Sequence, residues 1–498
     1  MLQQSNNTIT SIYPIGNQTE ELTALYCRLS QDDKQEGDSN SIINQKKILK
    51  RYAIEHGYQP YVFFVDDGFS GTNFNRPDFQ RMIAEVEAGR IKRVIVKDMS
   101  RLGRDYLQVG MYTEIMFPNL DVHFIAVNDG VDSHVGENEF TPFRNIINEW
   151  YAKQPWLRGT NFLPSDCINR LDMWQSIGRE EHLKTAETEL KLSEETGFNT
   201  VRLWCNFDVY YKEPEEFMQT LESYISLCAK YHHSVMLVLA YEEDLPYGDK
   251  FVAKELGAQK EYYNHFNRDY ELQDKLTAEH AYKHYTEYPE IKPIYMEMVE
   301  RVVKKYRADN RVLAWNVENE PGITIGSRAV KLQEELFALV RSLDPVQPLA
   351  ADVWIGINED GTFRTEAEAK AYELSDFISF HSYSKYEKFL TGIYTLKKYF
   401  RRPIIVTEWL NRCNHNTVQE IYPLMLIENV GCYCWGFVQG KTYTTEPWEA
   451  LWKLAESNPD VDFDFTKWQH ELYRKNLHPY DPREINTIRH CNALADKK

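Results

Sequence analysis

The feature that most constrains the fold is an alternation of short apolar segments with amphipathic segments, which runs from about residue 154 to the C-terminus. Apolar and β-branched residues predict eight strands, at residues 156–161, 200–204, 234–239, 312–317, 348–353, 377–380, 403–406 and 432–435. The segments between them carry apolar residues at helical spacing, for example at 179–196, 214–231 and 327–342. Eight strand–helix units predict a (β/α)8 barrel with insertions, of which the longest spans residues 241–293 and would cover a cleft. The alternative is an open doubly wound sheet, but no G-x-G-x-x-G turn follows the first strand.

A second alternation precedes the barrel. Strands are predicted at 22–27, 62–65, 93–96 and 122–127, with helices at 41–56, 77–88 and 106–117 between them. This order indicates a separate α/β domain with a parallel sheet. A helix predicted over 139–153 ends at Gln154-Pro155, because proline disfavours helix in the residue before it. We therefore divide the chain into a flexible leader at 1–21, an α/β domain at 22–153 and a barrel domain at 154–498.

Composition narrows the class of protein. With 498 residues, 43% of them hydrophobic and 13% aromatic, the chain is expected to fold and to have clefts lined by rings. Its formal net charge is −18 and neither part is basic, whereas a protein devoted to DNA needs a basic surface. The eight cysteines show no zinc-site spacing, which predicts reduced core thiols, no metal and no cofactor. An export signal and a membrane span are not evident, so we expect a cytoplasmic protein without membrane attachment.

Two glutamates stand where the fourth and seventh barrel strands end. Glu320 belongs to the sequence WNVENEP at 315–321, and Glu408 belongs to IIVTEW at 404–409. Side chains at the C-terminal ends of barrel strands converge on one cleft. Glycoside hydrolysis needs such a carboxylate pair, one to protonate the leaving oxygen and one to attack the sugar or to activate water. Glu318 is expected to face the other side of its strand.

These two motifs resemble those of the retaining glycoside hydrolases of clan A, the cellulase-, mannanase- and xylanase-like (β/α)8 enzymes. The resemblance covers about residues 154–495 and implies hydrolysis of O-glycosidic bonds in a β-linked glycan or oligosaccharide. It makes Glu320 the acid/base and Glu408 the nucleophile. The residues that it assigns to the carbohydrate substrate or to the nucleophile are Asn319, Arg202, His381, Tyr383 and Trp435, with 159–161 fitting the same pattern.

Each of these residues has an expected task. By the resemblance, Asn319 binds the sugar 2-hydroxyl, and His381 and Tyr383 line the site near the nucleophile. Arg202 is expected to lower the pKa of the nucleophile, whereas shielding from water should raise the pKa of Glu320. Trp435 is the expected sugar platform, and its strand-end neighbours are Trp204, Trp315, Trp354 and Trp409.

The first domain carries a different set of motifs. The sequences ALYCRLS at 24–30, DGFSG at 67–71 and KDMSRLGRD at 97–105 resemble the catalytic domain of serine recombinases of the large resolvase/invertase type. The resemblance implies that Ser30 is a nucleophile that links to DNA, that Gln45 helps with positioning, and that a phosphate is bound by Arg28, Arg76, Arg101 and Arg104. Members of that family continue through a long dimerisation helix into DNA-binding domains, whereas this chain enters the barrel after residue 153. We therefore expect a truncated recombinase domain with at most weak DNA binding.

The sequence thus predicts a glycoside hydrolase barrel fused to a serine-recombinase-like domain. Two alternatives stay open at this point. One is a DNA strand-exchange recombinase whose barrel is passive. The other is a carbohydrate-binding protein without activity, which the presence of both glutamates disfavours.

Overall fold

The computed structural model describes residues 22–29, 42–68, 76–102, 109, 111–129, 131–133, 142–276, 281–354 and 357–497. Ser30, Arg104 and the leader at 1–21 lie outside these ranges. The chain divides into two compact units, Met1–Asn145 and Ile146–Lys498. The boundary near residue 153 stays a prediction.

The first unit contains a five-stranded sheet. Its strands are β1 (Leu22–Leu29), β2 (Tyr61–Asp67), β3 (Ile91–Val96), β4 (His123–Ala126) and β5 (Val131–Asp132), in the order β2-β1-β3-β4-β5. All neighbours are parallel except β4 and β5. The helices described in this unit are Ile42–Glu55, Pro77–Glu87, Met99–Leu102 and Phe117–Asn119, the last preceded by a π-helical turn at Met111–Met116. The interior strand β1 is apolar along most of its length and nearly all buried, as expected for a parallel strand covered on both faces.

The second unit contains a closed barrel of eight parallel strands, which confirms the predicted fold. The strands are β6 (Arg158–Asn161), β7 (Thr200–Trp204), β8 (Ser234–Val238), β9 (Val312–Asn319), β10 (Leu349–Trp354), β11 (Ile378–His381), β12 (Ile404–Trp409) and β13 (Gly431–Trp435). The α-helices described after residue 153 are Arg170–Trp174, Arg179–Thr196, Phe207–Lys212, Pro214–Lys230, Tyr270–Lys275, Lys292–Tyr306, Arg328–Ser342, Glu366–Leu374, Tyr386–Tyr399, Val418–Ile427, Glu449–Ser457 and Pro482–Ala495. Short 3-10 turns stand at His265–Asn267, Tyr285–Glu287 and Arg412–Asn414.

A bulge in β9 determines the direction in which the polar side chains of this strand point. Asn316 pairs with Ala350 of β10, but the next pair joins Glu318 to Ala351, so that Val317 is skipped. A skipped residue interrupts the alternation of faces along a strand. Asn316 and Asn319, three positions apart, consequently point to the same partner inside the barrel.

A helix closes the N-terminal mouth of the barrel. The helix Pro142–Ala152 places Ile147 and Tyr151 in an apolar cluster. The other buried members of the cluster lie in seven of the barrel strands or just before them, and are Leu157, Met236, Leu313, Ala314, Ala350, Phe377, Ile405 and Tyr433. Trp150 stacks on Phe377 with ring centroids 6.1 Å apart. The hydroxyl of Tyr151 donates to the carbonyl oxygen of Asn429 at 3.2 Å. We call this helix the floor helix.

Two further expectations concern the whole chain. All eight cysteines are buried and unpaired, as the sequence predicts. Among the helices of the described ranges, none has the length and apolar character needed to cross a membrane.

Candidate active site

Arg202 on β7 organises the C-terminal end of the barrel. Its side chain is fully buried. Its two terminal nitrogens donate to Asn161 (2.9 Å), Asn316 (2.9 Å), Asn319, Asp352 (2.5 Å) and Glu408 (2.9 Å). One guanidinium therefore connects β7 to side chains from four other strands and orients both Asn319 and Glu408.

The two predicted carboxylates meet at an imidazole. Glu320 follows β9 and Glu408 lies in β12, and both are buried. Nδ1 of His381 lies 2.6 Å from Oε1 of Glu320 and 3.4 Å from Oε2 of Glu408. One oxygen of each glutamate and one nitrogen of His381 all lie within 4.8 Å of one another. The hydroxyl of Tyr383 donates to Oε2 of Glu408 at 2.8 Å. The structure thus brings both glutamates together with Arg202, Asn319, His381 and Tyr383.

Burial dominates the pKa values of both carboxyl groups. It raises the pKa of Glu320 to about 8, with help from the negative charge of Glu243 and against the opposing charges of Arg202 and Arg268. Burial also raises the pKa of Glu408, while His381 and Arg202 act against it. The expectation that Arg202 lowers the pKa of Glu408 is therefore wrong in its net direction, because loss of hydration outweighs the arginine. Burial lowers the pKa of His381, which favours a neutral imidazole.

The segment that follows Glu320 is held by Glu242. The carboxylate of Glu242 accepts backbone N–H groups from Gly322 at 2.5 Å, Thr324 at 2.6 Å and Ile325 at 2.8 Å. Glu320 itself has a φ of 47°, in the left-handed region. The contacts of Glu242 therefore hold the turn that follows Glu320. At the start of this turn, Glu320 has a backbone conformation that residues other than glycine rarely adopt.

The aromatic side chains near the site form two groups. Some are partly exposed and line the site, and others are buried in the core. Trp435 is partly exposed and packs edge-to-face on Trp204, with ring centroids 5.2 Å apart. Trp354 is also partly exposed, 5.8 Å from the ring of Tyr383. Of the other neighbours suggested by the sequence, Trp315 and Trp409 are only 0% and 1% exposed and belong to the core outside the strands. Strand-end position alone did not distinguish the two groups.

Sequence reasoning missed several residues of the site. Trp448 lies 4.9 Å from the ring of Tyr383, in a long segment after β13 where no periodicity marks it. Asp352 on β10 and Glu243 after β8 were also missed. Both are acids at strand ends, which is the signal that identified Glu320 and Glu408, so the same rule could have found them.

Glu318 stands apart from these contacts. It is fully buried, and its carboxyl group lies beside that of Glu242. Burial, together with the nearby Glu242, raises its pKa well above the usual range. Burial thus favours the neutral form of this carboxyl group, which serves as a reference for variants of the other two glutamates.

The long insertion forms one side of a cavity beside Glu320. This cavity has a volume of about 730 Å³, and its lining includes Glu243, Lys254, Arg268 and Tyr282. Its size is in the range of ligand pockets. The insertion predicted to cover a cleft therefore borders the site.

The arginines of the first unit are also placed by the structure. Arg28, Arg76 and Arg101 are buried. Nη1 of Arg101 donates to the carbonyl oxygen of Arg28 at 3.4 Å, and Nη2 of Arg76 donates to that of Leu102 at 2.6 Å. The side chain of Gln45 bonds to both backbone groups of Arg28, at 3.2 and 3.0 Å. The role suggested for Ser30 and Arg104 lies outside the described residues.

A parallel (β/α)8 barrel with a pair of glutamates at its C-terminal end is an arrangement that glycoside hydrolases use. The chain belongs to the cellulase family (glycosyl hydrolase family 5), whose model matches residues 159–470. Residues 23–153 match the model described as the resolvase N terminal domain.

Individual proteins are similar to the two parts of the chain. "Uncharacterized immunity region protein 3" of Bacillus phage phi105 is 34% identical over 71 residues, 14% of this chain and 85% of that protein. The N-terminal catalytic domain of TP901-1 integrase is 27% identical, covers 23% of this chain and 84% of its own, and has a TM-score of 0.21. GH5_18 from Streptomyces cattleya, in complex with GlcNAc, is 11% identical and covers 69% of this chain and 80% of its own, with a TM-score of 0.45. A family 5 mannosidase from Rhizomucor miehei is 12% identical and covers 68% and 93%, with a TM-score of 0.44.

Proposed function

We propose that this family 5 glycoside hydrolase acts by retention on a β-linked glycan or oligosaccharide, with Glu408 as nucleophile and Glu320 as acid/base. The observation that carries the proposal is the proximity of the two carboxylates, whose nearest oxygens lie within 4.8 Å. Retaining enzymes hold their two carboxyl groups about 5–5.5 Å apart, whereas inverting enzymes need about 6.5–9.5 Å to admit a water molecule.

The contacts of the two glutamates support different roles. Arg202 and Tyr383 donate one hydrogen bond to each oxygen of Glu408, at 2.9 and 2.8 Å, which orients the carboxylate for attack on the anomeric carbon. Glu320 has the raised pKa of a group that carries a proton at neutral pH. It would protonate the leaving oxygen while Glu408 forms the covalent glycosyl-enzyme. It would then take a proton from the water that releases the sugar.

The first test replaces each carboxylate in the full chain. Glu320→Ala and Glu408→Ala should each lower the turnover of chromogenic β-glycosides or plant polysaccharides by at least about 10²–10⁴-fold, because each removes a group that acts in the transition state. Thermal unfolding should show that both variants remain folded. Glu318→Gln is the matched control, since it alters a buried carboxyl of β9 that is neither of the two proposed catalytic groups, and its activity should fall far less than that of the alanine variants. Turnover close to the unaltered value in either alanine variant would rule out these roles.

The second test is stereochemical. Proton NMR of the first product should show the same anomeric configuration as the substrate, because two displacements at one carbon restore it. A first product of inverted configuration would contradict retention while leaving the glycosidase assignment intact.

A further inference from the structure

Arg170 is a buried cation with unused donors. It begins the helix Arg170–Trp174, on the connection that follows β6, and only 6% of its side chain is exposed. Its guanidinium lies over the rings of Trp204, Tyr241 and Phe266, at 4.8, 4.6 and 4.9 Å from the centroids. Neither Nε nor Nη1 finds a hydrogen-bond partner among the residues that the structure describes. The ring contacts hold the guanidinium in place, but they leave these N–H groups unsatisfied.

Glu243 is the acid that faces it. Its Oε1 accepts a hydrogen bond from Nδ2 of Asn319 at 2.9 Å. Its Oε2 is buried and also lacks a hydrogen-bond partner within the described ranges. Nη1 of Arg170 and Oε2 of Glu243 are 3.7 Å apart, which is too long for a hydrogen bond. The two charges therefore attract each other across a gap.

The pair adjoins the proposed catalytic groups. Glu243 lines the cavity of about 730 Å³ that also contacts Glu320. Arg170 lines a smaller cavity together with Trp435 and Asn161. The pair thus stands between the cavity at Glu320 and the cavity at Trp435, and a sugar ring bound across these two residues would lie beside it.

The chemistry of the pair selects one kind of group. A buried charged group that lacks a hydrogen bond is costly, so a ligand that satisfies both atoms gains affinity. A hydroxyl accepts from a guanidinium and donates to a carboxylate at the same time. An ammonium group offers only donors and would be repelled by Arg170. A carboxylate offers only acceptors and would be repelled by Glu243.

We infer that Arg170 and Glu243 form a recognition site for a hydroxyl of a neutral sugar ring, and that the pair excludes amino sugars and uronic acids from this position. The inference rests on the proposed function, because the position of the sugar ring follows from it. It assigns a specificity-determining task to two residues that do not act on the bond that breaks.

Binding rather than turnover provides the test. In the full chain carrying Glu320→Gln, which prevents hydrolysis, cellotetraose and mannotetraose are titrated by calorimetry, with the β-1,4-linked glucosamine tetramer as the charged comparison. We expect at least one neutral tetrasaccharide to bind more tightly than the glucosamine tetramer. Adding Glu243→Gln or Arg170→Met should weaken that binding by about 10- to 100-fold, the range of hydrogen bonds to charged groups. The double variant should lose little more than either single one, because both serve one hydroxyl.

Controls separate this inference from folding and from the proposed function. Glu243→Gln preserves the shape of the side chain, and Met suits the aromatic surroundings of Arg170. Thermal unfolding should show both variants folded. Asp249→Asn removes a fully exposed charge from the same insertion and should bind like the parent.

Three outcomes would overturn the inference. They are unchanged affinity in both variants, equal binding of the glucosamine tetramer, and no binding of either neutral tetrasaccharide. Binding that depends on the pair in a chain that hydrolyses no glycoside would instead contradict the proposed function alone.

Discussion

At the scale of single residues, the site depends on how many charges surround Glu320. His381 lies 2.6 Å away, and Glu408 is the opposing carboxylate. The charges of Glu243, Asp352, Arg202 and Arg268 also act on Glu320.

Burial and the charge of Glu243 together raise the pKa of Glu320 to about 8. An acid works only while it is protonated, and it is protonated below its pKa. We therefore expect kcat/KM to fall as the pH rises through about 8. Glu243→Gln should move this fall to lower pH, because it removes a negative charge that favours the protonated form. A pH profile whose alkaline side is the same in both proteins would contradict this account of Glu320.

The same residues show which features of the site can be predicted from the sequence. Glu320 and Glu408 could be located because their positions after strands four and seven depend only on strand order. The pKa of Glu408 could not be predicted, since burial acts against Arg202 and its extent depends on the packing of several connections. Glu243 was missed although it follows a strand in the same way, because no second motif singled it out.

At the scale of single elements, the close approach of β6 and β7 depends on a glycine. A Cβ atom added at Gly159 would lie 1.9 Å from the carbonyl oxygen of Thr200, whereas one added at Gly392 in the helix Tyr386–Tyr399 would meet nothing within 4 Å. Gly159→Ala should therefore destabilise the barrel by at least about 1–3 kcal/mol. Gly392→Ala should stabilise it by about 0.5–1 kcal/mol, since alanine loses less backbone entropy in a helix. All 11 tryptophans lie beyond residue 145, so urea unfolding followed by tryptophan fluorescence reports on the barrel unit alone. Equal stability of the two variants would show that the strands can separate without cost.

The existence of the strands could be predicted from the sequence, because each apolar run is bounded by polar turns. The bulge in β9 was not, because it is a property of the pairing with β10 and leaves no mark in either strand. The distinction between Trp435 and Trp409 has the same origin, since the face on which a ring lies is decided by register.

At the scale of the whole molecule, the resolvase-like part is joined to a barrel of unrelated chemistry. Strand exchange on DNA requires an oligomer interface and base readout, and phosphate binding requires a basic surface. The chain has a net charge of −18, and residues 159–470 match the cellulase family. We therefore expect weak, salt-sensitive binding to DNA and no recombination through Ser30. The measurement is incubation with supercoiled DNA and candidate sites, followed by a search for covalent protein–DNA adducts or resolved products. Adducts that disappear in Ser30→Ala would reverse this conclusion and favour the recombinase alternative.

The floor helix has a consequence for the order in which the barrel unit can assemble. Its residues are synthesised before any of the eight barrel strands, yet the hydrogen bond from Tyr151 to Asn429 joins positions 278 residues apart in the sequence. Contacts of such separation form slowly, because a long loop must close before they contribute. The cluster around Ile147 and Tyr151 therefore cannot be completed until β13 has left the ribosome. During that interval part of their apolar surface stays unburied, and surface of this kind is what chaperones bind and what makes incomplete chains prone to aggregate.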